Sequence, residues 1–175
     1  MNVIPFIITV IGGIIVLLSY YIVFKGTGKS YLKSDYWLGQ PSSIITIFFI
    51  FQILAVIGFL MFMASPSGWL FGKAPQGGIL GDSNIFYVVL ILFFLSSASW
   101  AFLAKGGVHG SKTAVILCSV SLVITAICSI IFIAGAVEED NPRWFVVLGT
   151  ILLGITTILG DGVCWNAVFL KKYLK

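Results

Sequence analysis

Long apolar stretches alternate with short polar ones along the whole chain. Five apolar runs stand out, at approximately 3–24, 43–63, 84–104, 113–137 and 144–170. Each is long enough to cross about 30 Å of hydrocarbon at about 1.5 Å per residue. A segment in lipid must satisfy its own backbone, and no ten-residue alternation of apolar and polar positions occurs, so the runs predict helices rather than barrel strands. The expected fold is an all-α integral membrane protein, a five-transmembrane-helix bundle forming one domain over residues 1–175.

The polar positions between the runs set direction. Lys25, Lys29 and Lys33 follow the first run, Lys105 and Lys112 follow the third, and Lys171, Lys172 and Lys175 end the chain. The second loop holds only Lys73, and the fourth holds Glu138, Glu139 and Asp140 with Arg143. Basic residues thus fall on alternate sides, which places the N-terminus outside and the C-terminus on the cytoplasmic or inner side. The third and fourth connections are short, so helices 3 and 4, and 4 and 5, should be antiparallel neighbours. The first loop, rich in Tyr31, Tyr36 and Trp37, lies in the inner headgroup zone or folds over the bundle mouth. Asp82 and Ser83 can cap helix 3, and Asn141 with Pro142 suits the start of helix 5. The endings YYIVFK, WAFLAK and WNAVFLKK share an aromatic, aliphatic and lysine pattern that interfacial anchoring explains.

Composition narrows the class. The chain is 59% hydrophobic and 9% charged, which excludes a soluble or disordered protein. The net charge of +4 sits in loops and the tail, where it sets orientation and implies no nucleic-acid partner. The expected partners are membrane lipids, with other membrane subunits or further copies of the chain as candidates. Cys118, Cys128 and Cys164 all fall inside apolar runs, form no CxxC pair and are odd in number. They are expected to be buried free thiols, with no disulfide framework and no metal site. The first run is too long for a signal-peptide core and is read as a retained span.

Against this background one residue is out of place. Asp161 lies within the last apolar run, flanked by Gly160 and Gly162, with Trp165 and Asn166 one turn on. A carboxylate at the centre of a membrane helix costs about 2.5–3.5 kcal/mol, and intramembrane ionisable residues are functional-site candidates by default. Asp161 sits about one turn to the inner side of the run's middle, which lowers that cost somewhat. It is either a ligand contact, proton site or ion-pair partner within the bundle, or a carboxylate that bonds a neighbouring helix's Ser or Thr or reaches the inner interface. Trp100 and Trp165 occupy matching depths in helices 3 and 5. Aromatic belts commonly produce that placement, and a stacking pocket for a flat ligand is the alternative. Ser96, Ser97 and Ser99 form a small polar patch before Trp100, suited to close packing and interhelical hydrogen bonds. Gln52, the amide in the middle of helix 2, either joins helices or points into a pocket. His109 reads as a solvated loop residue, and Glu138–Asp140 as a solvated turn.

The sequence holds no HExxH, no Gly-rich phosphate loop and no Ser with plausible His and Asp partners. No enzymatic activity is expected. The runs also lack the series of acidic or basic residues that a proton pump or voltage sensor uses.

The layout resembles the translocator protein / tryptophan-rich sensory protein family. The similarity rests on the aromatic-lysine end of helix 1, an inner loop closing on Trp37 and Pro41, and the interval from Pro41 to Gly58. Helix 3 offers Leu95, Ser97 and Trp100 where the family prefers Leu-Asn-x-x-Trp. Helix 5 offers Thr156, Thr157, Asp161 and Trp165 where the family has a Thr-rich turn, Asn and Trp. Ser97 and Asp161 thus replace two Asn, and Pro41 stands alone where the family has a double proline. The resemblance implies a flat hydrophobic ligand such as a porphyrin or sterol beneath the first inner loop. It carries over Trp37, Pro41, Ser97, Trp100, Asp161 and Trp165 as contacts.

Two functions follow from these residues. One is a binder or carrier of a small hydrophobic molecule, in a pocket walled by helices 2, 3 and 5. Trp100 and Trp165 would stack on the ligand, Asp161 and Gln52 would share its cavity, and the Tyr36–Pro41 loop would form a lid. The other is a non-catalytic structural subunit of a larger membrane assembly.

Overall fold

Each apolar run forms one helix. The computed structural model describes residues 3–25, 42–63, 79–138 and 143–174. Within them lie α1 (Ile4–Lys25), α2 (Ser42–Met63), α3 (Ser83–Val108), α4 (Lys112–Val137) and α5 (Trp144–Tyr173). All five are long and apolar enough to cross a membrane. The expected loop features at Trp37 and Pro41, at Tyr31 and Tyr36, and at Asn141 and Pro142 lie outside the described residues.

Local chemistry sets the helix ends. Asp82 caps α3, its carboxylate accepting from the Asn84 N–H at 2.7 Å. A 3₁₀ turn at Ile79–Gly81 leads into this cap, and the Ile79 N–H donates to the Glu138 carboxylate at 3.2 Å. The acidic turn after α4 therefore ties down the entry to α3. At its other end α3 runs to Val108, four residues beyond the Ala104 expected from hydropathy. The reason is a glycine-ended stop. Gly110, at φ +94°, donates to the Gly107 carbonyl, and Ser111 donates to the Gly106 carbonyl, the paired bonds of a Schellman motif. Ser111 then caps α4 by accepting from the Ala114 N–H at 3.2 Å.

The helices form an arc in the order α1, α3, α4, α5, α2. The short turn makes α3 and α4 antiparallel. Ser129 beside Thr157 and Ile133 beside Gly154 do the same for α4 and α5. Gly12 meets Phe94 and Tyr20 meets Trp100, later in both helices, so α1 runs parallel to α3. Among the described residues α1 and α2, the two ends of the arc, share no extensive contact.

Small residues permit these approaches. In lipid the helices gain little from apolar burial, and close packing of backbones takes its place. Gly58 of α2 lies directly against Gly149 of α5, where a Cβ on Gly149 would stand 2.6 Å from the Gly58 carbonyl oxygen. Gly12 of α1 lies under the Phe94 ring in the same way. Two apolar clusters result. Phe62, Phe86, Phe93, Phe132 and Val146 fill the N-terminal end, and Val23, Trp100, Val115, Trp165 and Phe169 fill the lysine-bearing end.

The Gly58–Gly149 contact makes a directional prediction. Gly149→Ala should lower stability by about 1–3 kcal/mol, the usual cost of overpacking. Gly13→Ala, where a Cβ meets nothing within 4 Å, should be neutral or slightly stabilising because alanine is the better helix former. Thermal unfolding of both variants in neutral detergent checks this, and equal melting temperatures would count against the contact.

Candidate functional site

Between the two clusters the arc encloses a cavity of about 320 Å³. Its N-terminal end is aromatic: Phe59 stacks on Phe93 with ring centroids 5.5 Å apart and planes 4° apart, and Phe94 meets Phe59 edge-on. Its lysine-side end holds Tyr20, Trp100 and Asp161. Leu17 of α1 and Val56 and Leu60 of α2 line the cavity while remaining 67%, 57% and 57% exposed. Among the described residues the side between α1 and α2 is therefore open, onto the exposed apolar side chains of the bundle.

Asp161 is positioned by an irregularity in α5. Residues Ile155–Trp165 form a π-helix between two α-helical pieces, Trp144–Gly154 and Asn166–Tyr173. The Asn166 N–H still reaches back five residues to the Asp161 carbonyl. In a regular α-helix, positions four apart drift about 40° per step. The wider turn offsets that drift, and Thr157, Asp161 and Trp165 all stay on the inward side. Such wide turns are rare and occur often at functional sites. A hydroxyl of the turn ties it to α2: Thr156 donates to the Phe51 carbonyl at 2.7 Å.

Behind the cavity runs a line of hydroxyls joining α3, α4 and α5. Ser99 and Ser121 stand 2.9 Å apart, and Ser121 donates to the Ser96 carbonyl at 2.7 Å. Thr125 donates to the Ser96 hydroxyl at 2.8 Å, and Ser129 donates to the Thr125 carbonyl at 3.0 Å. Thr157 completes the line by donating to the Ser129 hydroxyl at 2.7 Å.

This line determines what is left for Asp161. A carboxylate only accepts hydrogen bonds, and each hydroxyl has one proton to give. The protons of Thr125, Thr156 and Thr157, all on the cavity wall, already go to other acceptors. Among the described residues the Asp161 carboxyl has no hydrogen-bond or ion-pair partner, and no Lys or Arg lines the cavity. Of the alternatives open from sequence, a bond to a neighbouring Ser or Thr is not seen among the described residues. Tyr20 and Cys118 lie within electrostatic reach of it.

Of the residues singled out from sequence, Gln52, Ser97, Trp100 and Asp161 meet on the cavity wall. Trp165 does not. It stands behind Trp100, with ring centroids 5.3 Å apart, and stacks on Phe169 at 4.4 Å. Neither tryptophan faces headgroups as an aromatic belt would, since they are 7% and 6% exposed. The Trp100 indole N–H donates to the Tyr20 hydroxyl at 2.9 Å, which joins α1 to α3. Cys118 and Cys128 are buried as expected, but Cys164 is exposed on the outward side of α5. His109 is exposed, its Nδ1 2.7 Å from the Lys105 carbonyl.

The expected walls, helices 2, 3 and 5, are joined by α1 and α4. Tyr20 and Gly13 of α1 and Leu122 and Thr125 of α4 complete the enclosure. The α4 hydroxyls carry a legible signal, because Ser121, Thr125 and Ser129 recur every four residues and so share one helix face. The contribution of α1 has no such signal in its uniformly apolar run.

No family model, no curated protein and no solved structure matches the chain.

The hydroxyl line is testable by a double-mutant cycle on Ser129→Ala and Thr157→Val. The expected coupling is about 0.6 kcal/mol and at most about 1.7 kcal/mol, the range for interhelical hydrogen bonds in membrane bundles. Additive losses in unfolding free energy would show the two hydroxyls to be independent.

Proposed function

We propose that this protein binds or carries a small hydrophobic molecule within its helix bundle. The observation that supports this best is the cavity of about 320 Å³, apolar along most of its wall, with Asp161, Gln52, Ser97 and Trp100 converging on it. Ligand pockets combine that character, a largely apolar lining with a few placed polar groups, and start at about 300 Å³. The resemblance to the translocator protein family implies a flat occupant, porphyrin- or sterol-like, and the slot between the Phe59–Phe93 stack and Trp100 accords with one. Entry is sideways from the hydrocarbon through the gap between α1 and α2, past Leu17 and Leu60. The alternation of basic residues supports an orientation with the lysine-bearing end on the cytoplasmic side. The residues supply binding and orientation, and no bond-making chemistry is assigned to them.

Native mass spectrometry of the protein gently extracted from its own membrane tests this. One small molecule per chain is expected, and it should be lost in Ala55→Phe, which puts a ring on the cavity wall from α2. Other chains co-purifying in fixed ratio, with no small molecule, would instead favour the structural-subunit role.

A further inference from the structure

The cavity is asymmetric in a way that specifies its occupant's chemistry. Its N-terminal end offers mainly ring faces and aliphatic carbons, from Phe59, Phe93, Leu153 and their neighbours, with the Thr9 hydroxyl as a neutral polar group and no charged one. Its lysine-side end offers an acid with no protein partner among the described residues, beside Trp100 and Tyr20. An isolated carboxyl in an apolar surrounding is stabilised by a positive charge or by a base that shares its proton. Among the described residues neither is supplied on the cavity wall, where no Lys, Arg or His appears. The aromatic neighbours act in the same sense, because ring faces attract cations and repel anions.

We propose that the occupant is a lipophilic amine, an aromatic or aliphatic body carrying one basic nitrogen that pairs with Asp161. This rests on the cavity being a ligand site. It goes further by ranking ligand classes, because acid and amine share one proton whichever atom holds it. A neutral sterol-like body satisfies only the apolar end. An anionic molecule, a porphyrin with free carboxylates included, sets like charge against Asp161.

The test uses three probes of one skeleton: a naphthyl-alkyl amine, the corresponding alcohol and the corresponding carboxylic acid. Each is titrated into the full chain in uncharged detergent and followed by tryptophan fluorescence, so that no lipid headgroup charge favours any of them. The amine should bind at least about tenfold more tightly than the alcohol, the worth of one charge-assisted hydrogen bond, with the acid weakest. Asp161→Asn should bring the amine down to the alcohol's affinity and leave the alcohol within about twofold, well inside the effect of one lost bond. Asp161→Glu should keep the preference, which separates the carboxyl's role from damage to the fold. Equal binding of amine and alcohol by the native chain, or a preference that survives in Asp161→Asn, would overturn the amine assignment while leaving the ligand site standing. Failure of all three probes to bind would overturn both.

Discussion

The Thr157 hydroxyl gives its proton to Ser129, and Ser129 gives its own to the Thr125 carbonyl one turn away. That contact, continued through Thr125, Ser96 and Ser121, is the constraint on which the rest of the bundle depends. Helices this apolar gain little by burying side chains against one another when lipid is the alternative. Hydrogen bonds and close backbone packing then decide which faces meet. The hydroxyl line fixes α3, α4 and α5 as one wall. α1 and α2 are attached to its two ends by separate devices, Gly12 under Phe94 with Tyr20 bonded to Trp100, and Gly58 against Gly149 with Thr156 bonded to Phe51. Nothing comparable joins α1 to α2 among the described residues. A cavity with one open side follows from that arrangement.

The same line explains why Asp161 is left over. Had the hydroxyls of Thr125, Thr156 and Thr157 been uncommitted, an acid at this depth would have found a donor on a neighbouring helix, and its presence would need no function. They are committed to holding helices together. The π-helical turn keeps the carboxyl on the cavity side with Gly160 and Gly162 around it. An irregular turn and an acid without a partner among the described residues are each unfavourable in lipid. That both occur in the same eleven residues, facing the cavity, is the strongest sign that the segment serves a purpose other than stability.

The fold was legible because lipid imposes it. Long apolar runs have no other stable form in a bilayer, so helix number and approximate span could be read from hydropathy alone. The α3 terminus was missed by four residues because Lys105, Gly106 and Gly107 look like a loop, whereas Gly106 and Gly107 continue the helix and pack on Ala114, Val115 and Phe169. Asp161 was legible as the single carboxylate inside a run. The place of Trp165 was not legible, because sequence spacing gives a residue's depth and not its rank from the cavity, and Trp100 stands in front of it. The part played by α1 was invisible, since a run apolar on every side does not say which side faces inward. The π turn left only its glycines and threonines as a trace, and those residues also mark ordinary helix packing.

A molecule arriving from hydrocarbon has already shed its water, which changes what a site must do to select it. An aqueous pocket discriminates partly through the hydration that each ligand gives up on entry. Under the proposed function, a cavity opening sideways past Leu17, Val56 and Leu60 would meet ligands whose apolar bodies gain little by leaving lipid for protein. Most of the discrimination then falls to the few polar contacts inside, and to how well they replace what the ligand's polar group had before. A cavity walled only by Phe59, Phe93, Leu153 and their like would bind lipid tails as readily as anything else. Asp161, without a hydrogen-bond partner among the described residues, would give this one a contact that lipid tails cannot make.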